Sequence, residues 1–119
     1  MKDLLFWSRL DELVAACKVK IDRPQGTSHP RYPSFVYPLD YGYLENTHSP
    51  DGSGIDVWVG SLPDKHVTAV ICTVDLIKRD SEVKVLIGCT PQEAQQILDT
   101  HNTGPQSAIL MGRPTEKNA

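Results

Sequence analysis

The sequence predicts a mainly β domain of the α+β class, a small antiparallel barrel or sheet with a helix at each side. Three observations predict it. Apolar, β-branched residues alternate or run together over residues 55–59, 67–77 and 83–87, as strands require. An amphipathic stretch opens the chain, and a helix-start signature, Thr90-Pro91-Gln92-Glu93, follows the last of those strands. At 119 residues the chain is the size of one domain, spanning 1–119, large enough for a single core.

Taken in order, residues 3–18 read as a helix, with Phe6, Leu10, Leu13, Val14 and Cys17 on one face and Arg9, Asp11 and Glu12 on the other. A short strand follows over 18–22, ended by Pro24 and Gly26. Residues 24–50 contain five prolines and too little periodicity for a helix, yet they are rich in tyrosine. A loop this aromatic is expected to fold onto the body of the protein. The strand at 55–59 turns Ile55, Val57 and Val59 to one face, Asp56 and Trp58 to the other. Strands at 67–77 and 83–87 flank a charged turn, Lys78-Arg79-Asp80-Ser81-Glu82, and form a hairpin. Thr90 is the expected N-cap of a helix running to Thr100, with Pro91 at its first position and Glu93 closing a capping box. A last strand is expected over 108–111 and a disordered tail over 113–119.

Composition narrows the function classes. Hydrophobic content of 39% and charged content of 23% describe an ordinary soluble globular chain. A net charge of −3 offers no basic excess for nucleic acid or an acidic membrane. Cys17, Cys72 and Cys89 lie in apolar sequence outside any CxxC motif, and reduced, buried thiols suit the cytoplasm. No run reaches the ~20 apolar residues of a membrane span, and the interrupted N-terminal stretch does not match a signal peptide. The four histidines lack the paired spacing of a zinc site.

The residues that point to chemistry are acidic. Asp51-Gly52 by itself is ordinary turn chemistry. Asp56 stands inside an apolar strand, where a carboxylate is costly without a partner. Asp80 and Glu82 by themselves are solvated turn charges, but Lys84 alternates with Val83 and Val85 and can meet a phosphate as a point charge. Paired carboxylates on a short backbone segment form the oxygen-only site that Mg²⁺ takes.

The ordered set of these motifs resembles the soluble (family I) inorganic pyrophosphatases over residues 18–89. Tyr37-Pro38-Leu39-Asp40-Tyr41-Gly42-Tyr43 matches that family's Y-P-x-x-Y-G-[FY] segment, and Asp51 and Asp56 fall on the first and third aspartates of its D-x-D-P-x-D-V motif. Asp22-Arg23-Pro24 is similar to the family's E-I-P, and Arg31-Tyr32 to its Lys-Tyr pair, one residue out of step. Asp80, Glu82 and Lys84 resemble its second acidic pair and following lysine. The chain departs from the pattern at Ser53 and Gly54, where the family has aspartate and proline. A hairpin with a phosphate-binding arginine and a C-terminal Tyr-Lys pair have no counterpart.

The resemblance implies a small OB-like antiparallel β-barrel and hydrolysis of inorganic pyrophosphate or a related phosphoanhydride. It implies Asp22, Asp51, Asp56, Asp80 and Glu82 as ligands of Mg²⁺, with Mn²⁺ as the alternative ion. Tyr41, Asp56 and Lys84 would be catalytic, and Arg31, Tyr41 and Lys84 would bind the substrate. The partners it implies are a small phosphoanhydride and further copies of the chain, with no nucleic acid and no membrane. Because Ser53 replaces a family aspartate, a metal- and phosphate-binding module without turnover is the competing reading.

Overall fold

The computed structural model describes residues 2–49 and 52–114. The elements run α1 (Lys2–Ala16), β1 (Val19–Arg23), β2 (Asp40–Leu44), β3 (Ile55–Val59), β4 (Val67–Asp75), β5 (Asp80–Ile87), α2 (Pro91–Thr100) and β6 (Gln106–Gly112). The strands form one sheet in the order β1-β2-β3-β5-β4-β6. All neighbours are antiparallel except β3 and β5, which are parallel, with Val57 opposite Val85 and Val59 opposite Ile87.

This corrects the expected antiparallel, OB-like barrel. The sheet is mixed and open, with β1 and β6 at opposite edges. The sequence pattern gives five of the six strands and the hairpin between β4 and β5. Closure depends on tilt and stagger between strands far apart in the chain, which no local pattern records.

Strand alternation gives the sheet two apolar faces, one for each helix. On the first, Val57, Val70, Val85 and Ile87 pack with Trp7, Leu10 and Val14 of α1 and with Cys17 just past its end. On the second, Trp58, Ala69, Ile71 and Leu86 pack with Ala94, Ile97 and Leu98 of α2. The face of α1 is rotated from the expected one. Trp7 is 4% exposed, whereas Phe6 and Leu13 are 51% and 37% exposed. Adjacent aromatics both fall within a broad apolar arc, and the larger ring takes the core.

Two boundaries differ from expectation and both shape the site. Strand β2 lies within the segment expected to be loop. Its alternation is Tyr41 and Tyr43 around Gly42, and a Cβ at Gly42 would run into the Lys20 backbone on β1. Glycine there lets the two strands approach. Strand β5 starts at Asp80, because the turn is tightened to residues 76–79. The Asp75 carboxylate accepts from the amides of Ile77 and Lys78, and Arg79 takes a left-handed conformation with φ 59°. Asp80 and Glu82 therefore stand on a strand with Lys84, two residues apart on one face.

Helix α2 begins as expected: Thr90 Oγ1 accepts from the Glu93 amide at 3.1 Å and Glu93 Oε1 accepts from the Thr90 amide at 2.8 Å. At the chain's other end, Arg113 donates to Asp11 at 2.9 Å and to the Val67 carbonyl at 3.1 Å. The rest of the expected tail, residues 115–119, lies outside the described residues. Among the described residues no helix is long and apolar enough to cross a membrane.

Candidate functional site

Register decides what gathers at the site. Tyr41 is opposite Trp58 and Tyr43 opposite Asp56. Across the hairpin, Lys84 is opposite Ile71, Glu82 opposite Thr73 and Asp80 opposite Asp75. All of these share the sheet face that α2 covers. The helix packs over only part of it, near Ala69 and Leu86. The uncovered part lines a cavity of about 530 Å³.

On its wall is the Lys84 ammonium. Nζ donates to Tyr41 Oη at 2.8 Å, to Asp56 Oδ2 at 2.8 Å and to Glu82 Oε2 at 3.0 Å, so its three donors are matched by three acceptors. The Lys84 side chain is 10% exposed, Glu82 17% and Asp56 27%. Burial by itself works against the ammonium, but its couplings to Tyr41 and Asp56 outweigh burial and hold it above the ordinary lysine range. Burial pushes the Tyr41 phenol up as well. The neutral-pH state is therefore a protonated phenol beside a charged lysine. The phenol accepts from Lys84 and shares a hydrogen bond with Asp56. Two carboxylates around one ammonium leave the cluster net negative.

The other expected site residues divide into three groups. Asp22 and Asp80 line the same cavity. Asp51 lies outside the described residues. Arg31 is exposed and not among the cavity-lining residues; its amide donates to His29 Nδ1 at 3.0 Å. Arg23 of β1 lines the cavity instead, together with Lys78. Ser53 also faces the cavity. Gly54 has φ 70°, a conformation closed to the proline that the pyrophosphatase motif carries there. The loop before β3 thus follows a path that proline could not.

Carboxylate oxygens are the donors Mg²⁺ takes, yet among the described residues no three candidate ligands gather into a ready-made metal site. The donor set still fits this ion. Mg²⁺ is commonly held by one or two carboxylates and completes its shell with water and substrate phosphates.

Sequence reasoning missed the aromatic half of the cavity and His101. His101 Nε2 accepts from the Trp58 indole at 3.2 Å, so Nδ1 carries the proton toward Gln106 Oε1 at 3.0 Å. Burial, opposed by Gln106, pulls its pKa down to about 4. The ring is a neutral brace for Trp58. Its sequence signal was slight: a histidine just past the predicted end of α2. Trp58 was legible, because it alternates with Asp56 on one strand.

No family model and no curated protein matches this sequence. Solved structures do match its fold. Over 79% of this chain and 80% of the other, it aligns with an inorganic pyrophosphatase from Neisseria gonorrhoeae at TM-score 0.63 and 18% identity. An inorganic pyrophosphatase from Coxiella burnetii aligns at TM-score 0.54 and 16% identity, covering 84% of this chain and 86% of that one. One from Helicobacter pylori aligns at 0.53 and 16%, covering 85% and 78%. The fold is shared with the same proteins that the sequence motifs resemble.

Proposed function

We propose that this chain, which has the fold of the soluble inorganic pyrophosphatases, is a short, divergent member of that family. Its proposed reaction is Mg²⁺-dependent hydrolysis of inorganic pyrophosphate or a related phosphoanhydride. The observation that carries this reading is the Tyr41–Asp56–Glu82–Lys84 cluster on the wall of an open cavity. Three separate stretches of sequence, at Tyr41, Asp56 and Glu82–Lys84, are hydrogen-bonded to one another.

Asp56 and Glu82 would hold Mg²⁺, with Asp22, Asp51 and Asp80 completing the acidic set. The ion would supply charge neutralisation on the phosphates and acidify a water. Lys84 and Tyr41 would orient Asp56, and the Lys84 ammonium would present positive charge to a phosphate oxygen. Arg23 would take the phosphate-binding part expected of Arg31, since it lines the cavity and Arg31 does not. Asp56 is the carboxylate at hand to accept a proton from the attacking water.

One observation favours the second reading, a metal- and phosphate-binding module without turnover. Ser53 faces the cavity where the family has an aspartate, so one carboxylate of the pyrophosphatase pattern is missing from the acidic set.

Phosphate release from pyrophosphate with Mg²⁺, measured for the native chain and Asp56→Asn, separates the readings. The enzyme reading expects release that falls by about 10² or more in the variant. Stabilisation by Mg²⁺ and pyrophosphate without release supports the binding module. Neither response would remove both.

A further inference from the structure

The cavity has a second half that a pyrophosphate ligand would not use. A continuous series of rings leads from the charged cluster to the rim. Tyr41 meets Trp58 with ring centres 4.6 Å apart, and Tyr37 meets Tyr41 at 5.3 Å. His29 stacks on Tyr37 at 6.3 Å with planes 14° apart, and Tyr32 lies over His29 at 5.0 Å. Phe35 packs edge-on against Tyr37 at 5.0 Å. All six rings line the cavity, and Tyr32, the outermost, is 51% exposed.

The rim rings are held in place. His29 Nδ1 accepts from the amides of Arg31 and Tyr32 at 3.0 and 3.2 Å. The His29 amide donates to the Phe35 carbonyl, and a bridge pairs Ser28 with Val36. A short loop is thereby folded into an aromatic wall with a half-open outer face. Pyrophosphate is small and wholly polar, so it gains nothing from such a wall. A cavity of about 530 Å³ falls in the range that encloses ligands of nucleotide size.

We infer that the phosphoanhydride bound here is a nucleoside diphosphate, its phosphates at the Asp56–Glu82–Lys84 cluster and its base stacked on the Tyr32–Phe35 wall. The inference rests on the reading of the cavity as a phosphoanhydride site. Stacking of a base on an aromatic side chain tolerates any base, because every base has a π-face. The wall therefore selects for a nucleotide and not for one base. In the reaction, water oxygen bonds to the terminal phosphorus as the bridging P–O bond breaks. The electron pair leaves with the nucleoside monophosphate, and the water protons are shared between the two phosphate products.

The test compares two non-hydrolysable ligands by titration calorimetry with Mg²⁺: methylenediphosphonate and α,β-methylene-ADP. The nucleotide is expected to bind at least about tenfold tighter, the scale of one stacked base. Tyr32→Ala should remove most of that advantage and leave methylenediphosphonate affinity unchanged, while Tyr32→Phe should keep it. Equal affinities in the native protein, or equal losses in Tyr32→Ala, would overturn the inference and leave the pyrophosphatase reading standing. Binding of neither ligand would remove both.

Discussion

Lys84 occupies the position a cation would take between Asp56 and Glu82, and its sequence context shows how that comes about. It alternates with Val83 and Val85, so one strand delivers apolar groups to one face and the ammonium to the other. Its pairing with Asp56 was not legible, because that contact depends on β3 lying parallel to β5. His101 is a harder case, since a lone histidine after a helix carries no pattern. Its burial has a consequence for stability that can be measured. The folded ring takes up a second proton only below about pH 4, against 6.5 for the unfolded group. Between those values the unfolded chain binds more protons, so stability is full above pH 6.5 and falls as pH drops toward 4. His101→Gln retains an acceptor for the Trp58 indole and cannot titrate. Its denaturant midpoint should fall less steeply than the native one over that window. Identical slopes would mean the ring is not buried neutral.

At the scale of elements, α2 was the most legible because its start is encoded by chemistry within four residues. The capping box is present as the sequence requires, and Glu93 does more than close it. Its carboxylate also accepts from the Ser61 amide at 3.1 Å, tying the helix start to the segment after β3. The burial of Glu93 opposes ionisation, but the amides of Thr90 and Ser61 outweigh it and hold its pKa below the usual value. Thr90→Ala removes the hydroxyl that accepts from the Glu93 amide and should cost about 1 kcal/mol in urea unfolding. A loss below a few tenths would mean that Glu93 alone holds the helix start. Strand β2 was the least legible element. Tyr41 and Tyr43 have strand character, but Gly42 and the flanking prolines read as loop. Gly42 is explained only by the approach of the Lys20 backbone, a neighbour more than twenty positions earlier. Likewise, Asp80 and Glu82 read as turn residues because four charges cluster there. The structure tightens the turn by using Asp75 as its hydrogen-bond acceptor, and that choice lies outside the charged run.

For the whole molecule, the open sheet and its two helices create an asymmetry. Helix α1 packs on one face, while α2 leaves part of the other uncovered, and the cavity forms there. Carboxylates outnumber cationic side chains among its lining residues, and the chain as a whole is at −3. Such a field repels a bare polyphosphate anion. Lys84 cannot offset the repulsion, because Asp56 and Glu82 already neutralise it. If the cavity takes a phosphoanhydride, a divalent cation must enter with it. Pyrophosphate in the presence of EDTA should therefore leave the melting temperature unmoved. Pyrophosphate with Mg²⁺ at a hundredfold excess over Kd should raise it by roughly 10 °C, the mass-action effect of about 2.7 kcal/mol on a domain of this size. The same comparison in Asp56→Asn should show a smaller shift, since one of the two carboxylates that face Lys84 loses its charge. A shift by pyrophosphate in EDTA equal to that with Mg²⁺ would mean that Arg23 and Lys78 bind the anion directly, and that the acidic face has no part in holding a metal.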